Sequence, residues 1–205
     1  MAIIGGSGQA MGHYCLPHIR GVVYEIFSNS VWNPIFDVVV LEDGRQHVHI
    51  RLTHVQSAVV SYLRVVYAST KVKERRELWK ALYAIAQNAT PWMVMGDFNT
   101  ISAKSEQIGH KTFDPVASQE FNDCINACKL EDACFIGSGF TWTNCTASTR
   151  LDKVLYDSRC VTLLPALSVT LGQDIIRSLT FSSKCQQTSR ETKGIFLVPQ
   201  HVVKA

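Results

Sequence analysis

Two side chains able to handle a phosphate ester stand at Asp97 and Asn99, in the run Pro91-Trp92-Met93-Val94-Met95-Gly96-Asp97-Phe98-Asn99-Thr100. A carboxylate and an amide two residues apart in extended chain project the same way, so both can line one cleft. There the carboxylate can hold a hard cation or orient a water, and the amide can hydrogen-bond a phosphate oxygen. An ordinary polar turn is the plainer reading of the tripeptide taken by itself, since Asp and Asn are common turn formers. His47 and His49 are a second candidate, because two histidines on one strand face suit a metal. Such a row is more simply the wet face of an antiparallel pair. Lys73, Glu74, Arg75, Arg76, Glu77 and Lys80 form a charge cluster. It reads as the solvated side of a helix or, more sharply, as a contact to a phosphate backbone.

The elements that must position these residues follow from periodicity. Trp92 to Met95 is too short an apolar run for a helix and is bounded by Pro91 and Gly96, which reads as a strand buried on both faces. Upstream, Phe36 to Leu41 and His47 to Val55 form two strands joined by a Glu42-Asp43-Gly44 turn. Val59 to Ala68 is a further strand. Lys71 to Gln87 carries Leu78, Leu82 and Ile85 at helical spacing with Trp79 beside them, an amphipathic helix packed on a sheet. Downstream, a polar loop runs through Glu106. Asp114-Pro115 then caps a helix bearing Phe121, Ile125 and Cys128. Gly139 to Thr143 and Arg150 to Leu155 read as a closing hairpin with Asp152, Val154 and Tyr156 on one face. Val22 to Tyr24 could be a short strand in an otherwise weakly patterned start, and residues 172 to 193 read as loop or tail. This order implies an α/β protein with substantial antiparallel pairing.

Composition narrows the class. The chain has 205 residues, 46% hydrophobic and 18% charged, which suits one globular domain. A net charge of +3 does not by itself argue for a nucleic-acid partner. No apolar run approaches the roughly 18 to 20 residues of a membrane helix, and no secretory h-region opens the chain. The expected location is therefore intracellular, nucleus or cytoplasm, without membrane association. The seven cysteines contain no CxxC pair and read as reduced thiols rather than a zinc site. The glycosylation patterns at Asn88 and Asn144 are then chance matches. Nothing in the pattern specifies an oligomeric state.

Several pieces fall into one order: Tyr67-Ala68-Ser69, Gly96-Asp97-Phe98-Asn99, Gly139-Phe140-Thr141-Trp142 and Arg150-Leu151-Asp152. Together they resemble the endonuclease/exonuclease/phosphatase superfamily, with the DNase I-like fold. The nearest likeness is to plant non-LTR retrotransposon endonuclease domains. Val31-Trp32-Asn33-Pro34, Glu74 to Trp79 and Phe121 to Ile125 match the same phrasing. The resemblance implies a DNase I-like α/β sandwich with mixed, largely antiparallel sheets, and metal-dependent phosphodiester hydrolysis, usually with Mg²⁺. It also implies the roles. Asp97 orients the attacking water or helps bind metal, Asn99 holds a phosphate oxygen, Tyr67 contacts the scissile phosphate, and Asp152 supports the metal. DNA or another phosphodiester is the expected substrate.

The departures are as informative. Relatives carry an Asn and a metal-binding Glu well upstream of the Trp32 region, and Glu25 lies too near Trp32 for that role. They also end on Ser-Asp-His, whereas Leu171 to Ser183 holds no Asp-His pair, and His201 follows Gln200. The expectation is a fold incomplete at both ends, with a divergent segment 1–30, a partial domain 31–170 and a divergent tail 171–205. Asp97 and Asp152 would form a weak Mg²⁺ site, tight binding would point to a replacement ligand such as Glu106, and hydrolysis would be impaired. The alternative is a catalytically inactive retroelement-derived remnant that binds nucleic acid weakly through Arg75, Arg76 and their neighbours.

Overall fold

The computed structural model describes residues 36–87, 91–133, 135–137, 139–144, 146–160, 166–172 and 175–182, with side chains described up to residue 160. Glu25, Val22 to Tyr24, Val31 to Pro34 and Asn88 lie outside the described residues. The scaffold is a six-stranded sheet in the order β1-β2-β3-β4-β10-β6. Its strands are β1 (Phe36–Asp43), β2 (His47–His54), β3 (Val60–Tyr67), β4 (Trp92–Asp97), β10 (Asp152–Asp157) and β6 (Leu130–Asp132). Only β3 and β4 run parallel within it, joined by helix α1 (Val72–Ala86), because a parallel pair needs a long crossover. Two three-stranded sheets complete the described fold. One orders β12 (Ile175–Ser182), β11 (Ala166–Gly172) and β7 (Phe135–Gly137). The other orders β5 (Gln107–Gly109), β9 (Ala147–Thr149) and β8 (Trp142–Thr143). The architecture is the expected α/β sandwich with mostly antiparallel strands.

The sequence explains why α1 and α2 (Pro115–Ala127) sit where they do. Asp114 caps α2, its Oδ1 accepting from the Val116 and Ala117 amides, and Pro115 occupies the first turn. The apolar stripe of α1 packs Leu78, Trp79 and Leu82 on the sheet, where Val66, Trp92, Val94 and Leu155 meet Phe98 and Phe121. Trp79, Phe98 and Phe121 pack ring against ring, 5.1 to 6.4 Å between centroids. Each fully buried side chain of this size contributes roughly 1.5 to 3 kcal/mol. The run Trp92 to Met95 is buried throughout, as expected of a strand covered on both faces.

Four expectations need correction. The region from Gly139 to Leu155 is not one hairpin: β8 turns back onto β9, while β10 inserts between β4 and β6 in the main sheet. A strand, β12, occupies residues 175 to 182, where Ser, Thr and Arg suggested loop; its pairing with β11 overrides that local composition. The His47 face is not wet. His47 is buried against Glu42 (3.2 Å), and Arg64, 1% exposed, is paired with Glu42 Oε2 at 2.7 Å. Arg75 is buried too, its Nη1 donating to the Ser69 and Thr70 carbonyls, while Arg76 is bound to Glu120. Arg75 is therefore withdrawn from the solvated face on which the sequence placed it, while Arg76 stays on the surface in its ion pair.

Candidate active site

The central strand carries its functional residues to one end of the sheet. In the register of β3, β4 and β10, Tyr67 lies opposite Asp97, and Asp97 lies opposite Asp152. Residues directly opposite in a ladder point to the same face, so a phenol and two carboxylates form one row across three adjacent strands. The row sits at the carboxyl ends of β3 and β4, where the chain turns away from the sheet.

Local backbone chemistry makes that row possible. Gly96 has φ +130°, and a Cβ there would lie 2.0 Å from the Val66 carbonyl oxygen, so only glycine lets β4 approach β3 this closely. Phe98 turns into the aromatic core and its amide donates to the Leu151 carbonyl, 3.0 Å. Asn99 then takes a left-handed conformation, φ 48°, one that Asn tolerates better than most residues. Its amide donates to Asp97 Oδ1 at 2.7 Å, and its side-chain Nδ2 donates to the Ala68 carbonyl at 2.7 Å. That bond uses one of the two N–H groups of the amide. The turn predicted for Asp97-Phe98-Asn99 and the site predicted for it are thus the same structure.

The opposite strand is fixed by residues the sequence did not single out for this task. Thr141, fully buried, accepts from both the Leu151 and Asp152 amides through one hydroxyl oxygen, each at 3.0 Å. Arg150 forks onto Asp132 at 2.7 Å and reaches Glu106 at 2.9 Å, with its guanidinium 4.4 Å from the Phe135 ring centre. Lys153, completely buried, donates to the same Glu106 carboxylate. Burial pushes Glu106 up, but Lys153, a Ser102 amide bond and Arg150 outweigh it and hold the carboxyl below its usual range. Glu106 is therefore committed to this ionic cluster and would have to leave Lys153 and Arg150 to ligate a metal. Thr141 carried a signal in the Gly139-Phe140-Thr141-Trp142 motif. Lys153 carried none, because only its pairing across β4 and the loop reveals the contact.

The electrostatics of the row are set by its crowding. Burial, and then the neighbouring Asp152 charge, push Asp97 up to about 7; the Asn99 amide, Lys111 and Arg75 pull it back. A carboxyl poised there suits proton transfer near neutral pH. Beside the row, a cleft of about 350 Å³ is lined by Tyr67, Ser69, Gln46, His47 and Glu74 among others. For a hard cation, the row supplies two adjacent carboxylates whose mutual repulsion a positive ion would relieve. That donor set fits a weakly held Mg²⁺ keeping most of its waters. Among the described residues, no group of three or more His, Cys, Asp or Glu side chains gathers to hold a metal.

A fold of this order, carrying a carboxylate row at the end of its central strands, defines a class. A family model for the endonuclease/exonuclease/phosphatase family matches residues 13–182. The chain belongs to that family, and membership supports phosphodiester hydrolysis as its class of chemistry. Among solved structures, the endonuclease domain of TRAS1, a telomere-specific non-LTR retrotransposon, is similar at 14% identity and TM-score 0.52. That match covers 75% of this chain and 70% of the other. The 3′ phosphatase NExo from Neisseria, bound to a product DNA hairpin, matches at 18% identity and TM-score 0.43, covering 65% and 62%. A variant of β toxin from Staphylococcus aureus with bound magnesium ions matches at 15% identity and TM-score 0.42, covering 62% and 47%. No curated protein matches the chain by sequence. No described helix is long and apolar enough to cross a membrane.

Proposed function

We propose that this chain is a nuclease-type phosphodiester hydrolase that works with a divalent cation and turns over slowly. The observation that carries the reading is the row Tyr67, Asp97, Asp152 in register on β3, β4 and β10. Asp97 positions and deprotonates the attacking water, and Asp152, anchored by Thr141, sets the charge beside it. Asn99, with one amide N–H committed to Ala68, offers the other to a non-bridging phosphate oxygen. Tyr67 faces the cleft from the same row and contacts the phosphate. Mg²⁺, when held by Asp97 and Asp152, supplies charge neutralisation for the phosphate. Slow turnover follows from the same geometry. Without a cation, Asp97 holds its proton for much of the time near neutrality, and two carboxylates hold Mg²⁺ only weakly. Family membership over residues 13–182 and the match to an endonuclease domain support a nucleic-acid substrate.

The test is nicking of supercoiled plasmid at high protein concentration with Mg²⁺ or Mn²⁺. Slow nicking is expected, abolished by EDTA and reduced about 10²- to 10³-fold in Asp97→Asn. Nicking that persists unchanged in Asp97→Asn refutes the assignment of the site. No nicking at all, with DNA binding retained, selects the non-catalytic remnant instead.

A further inference from the structure

A phosphate approaching Asp97 and Asp152 meets two acidic groups, and a basic side chain near them would add to the neutralisation a cation supplies. Two basic side chains whose charges reach Asp97 are Lys111 and Arg75. Arg75 is buried and spends its guanidinium on the Ser69 and Thr70 carbonyls. Lys111 is exposed, and its Nζ makes no ion pair among the described residues. Its ammonium instead lies 5.3 Å from the centre of the Trp142 ring. The Gln107 side chain donates to the Lys111 carbonyl from β5.

Trp142 is placed by its strand. It is half-buried on β8, paired with Thr149 of β9, and it directly follows Thr141, whose hydroxyl holds the Asp152 amide. The indole is thus tied by one peptide unit to the residue that anchors the catalytic row. Trp142 stands apart from the buried Trp79, Phe98 and Phe121 rings, half-buried with an ammonium over it. As a nucleotide site it is well suited: a ring face stacks a base of any identity, and a lysine answers the backbone phosphate.

We propose that Lys111 and Trp142 form a nucleotide-binding subsite beside Asp97, the lysine engaging a backbone phosphate and the indole stacking an unpaired base of single-stranded nucleic acid. The proposal rests on the hydrolase reading above and specifies its substrate: a strand with at least one unstacked base next to the cleavage point. Such a site prefers single strands, or duplexes opened by a gap or flap, to intact duplex.

The experiment measures binding without turnover. Fluorescence anisotropy follows a labelled oligothymidylate and a matched duplex in EDTA over a salt series, with wild type, Lys111→Gln, Trp142→Leu and Trp142→Phe. Wild type is expected to favour the single strand. Trp142→Leu should weaken it by about five- to a hundredfold, with Trp142→Phe largely restoring binding. Lys111→Gln should reduce the salt slope by about 0.7, the loss of one phosphate contact. Circular dichroism confirms that the variants are folded. Binding unchanged in both Lys111→Gln and Trp142→Leu overturns the subsite while leaving the hydrolase reading untouched. If wild type binds neither oligonucleotide but hydrolyses bis(p-nitrophenyl) phosphate with Mg²⁺, the subsite falls and the hydrolase stands. If it does neither, both fall.

Discussion

Replacing Asp97 by Asn should stabilise the protein, and by an amount that depends on pH. Burial and the adjacent Asp152 raise the Asp97 carboxyl from 3.8 in the unfolded chain to about 7 in the fold. A raised carboxyl means that the folded state holds a proton the unfolded state has released. Stability is therefore fully present below about pH 4, falls as pH rises toward 7, and levels off above that. Three pH units correspond to about 4 kcal/mol as an upper limit, at about 1.36 kcal/mol per unit. The side chain keeps a path to solvent at the sheet's end, so screening reduces this to about 2 kcal/mol. Asn keeps the acceptor for the Asn99 amide and lacks the charge, so the variant escapes the penalty. Melting followed by circular dichroism in EDTA should show wild type and Asp97→Asn differing little at pH 4. At pH 8 the variant should melt roughly 4 to 8 °C higher. Mg²⁺ at ten times its Kd should return about 1.4 kcal/mol to wild type at pH 8 and little to the variant. A difference in Tm of the same size at pH 4 and pH 8 would refute the crowded-carboxylate account, as would an equal response of both proteins to Mg²⁺.

The remaining predictions concern the frame around the row. Thr141→Val leaves two buried amides without their acceptor and should cost about 2 to 4 kcal/mol in urea unfolding, with Thr141→Ser close to wild type. Gly96→Ala places a Cβ against the Val66 carbonyl at a positive φ; a loss of about 3 kcal/mol or more is expected, seen as insoluble expression or a collapsed melting transition. Lys153→Met removes one of the two cations paired with buried Glu106 and should destabilise by about 3 to 5 kcal/mol, whereas a double change with Glu106→Gln should recover part of it.

How far the sequence reached depends on the range of the interaction concerned. The apolar run Trp92 to Met95, the helical stripe of α1 and the Asp114-Pro115 cap are local, and each appears in the structure as read. The row Tyr67-Asp97-Asp152 joins residues up to 85 positions apart, and no local pattern predicts its register; the ordered family motifs supplied that connection. Where neither local pattern nor motif applied, the reading failed for a physical reason. Arg75 looks solvated because the helix face it shares with Lys73 and Arg76 is charged, yet the backbone carbonyls of Ser69 and Thr70 draw it inward. His47 and His49 look wet because they alternate with Val48 and Ile50. Buried Arg64, paired with Glu42 at the rim, draws that face partly inward, and burial and the Arg64 charge push His49 down to about 4. Arg64 found its partner across strands, and Arg75 found backbone carbonyls in the turn before its own helix, neither of which hydrophobic periodicity records. The same distinction governs the site itself. Asp97 is legible from its motif, but its ability to take a proton near neutrality comes from Asp152, delivered by a separate strand and held there by Thr141. The motif specifies which groups act, and the sheet register determines the charge state in which they do so.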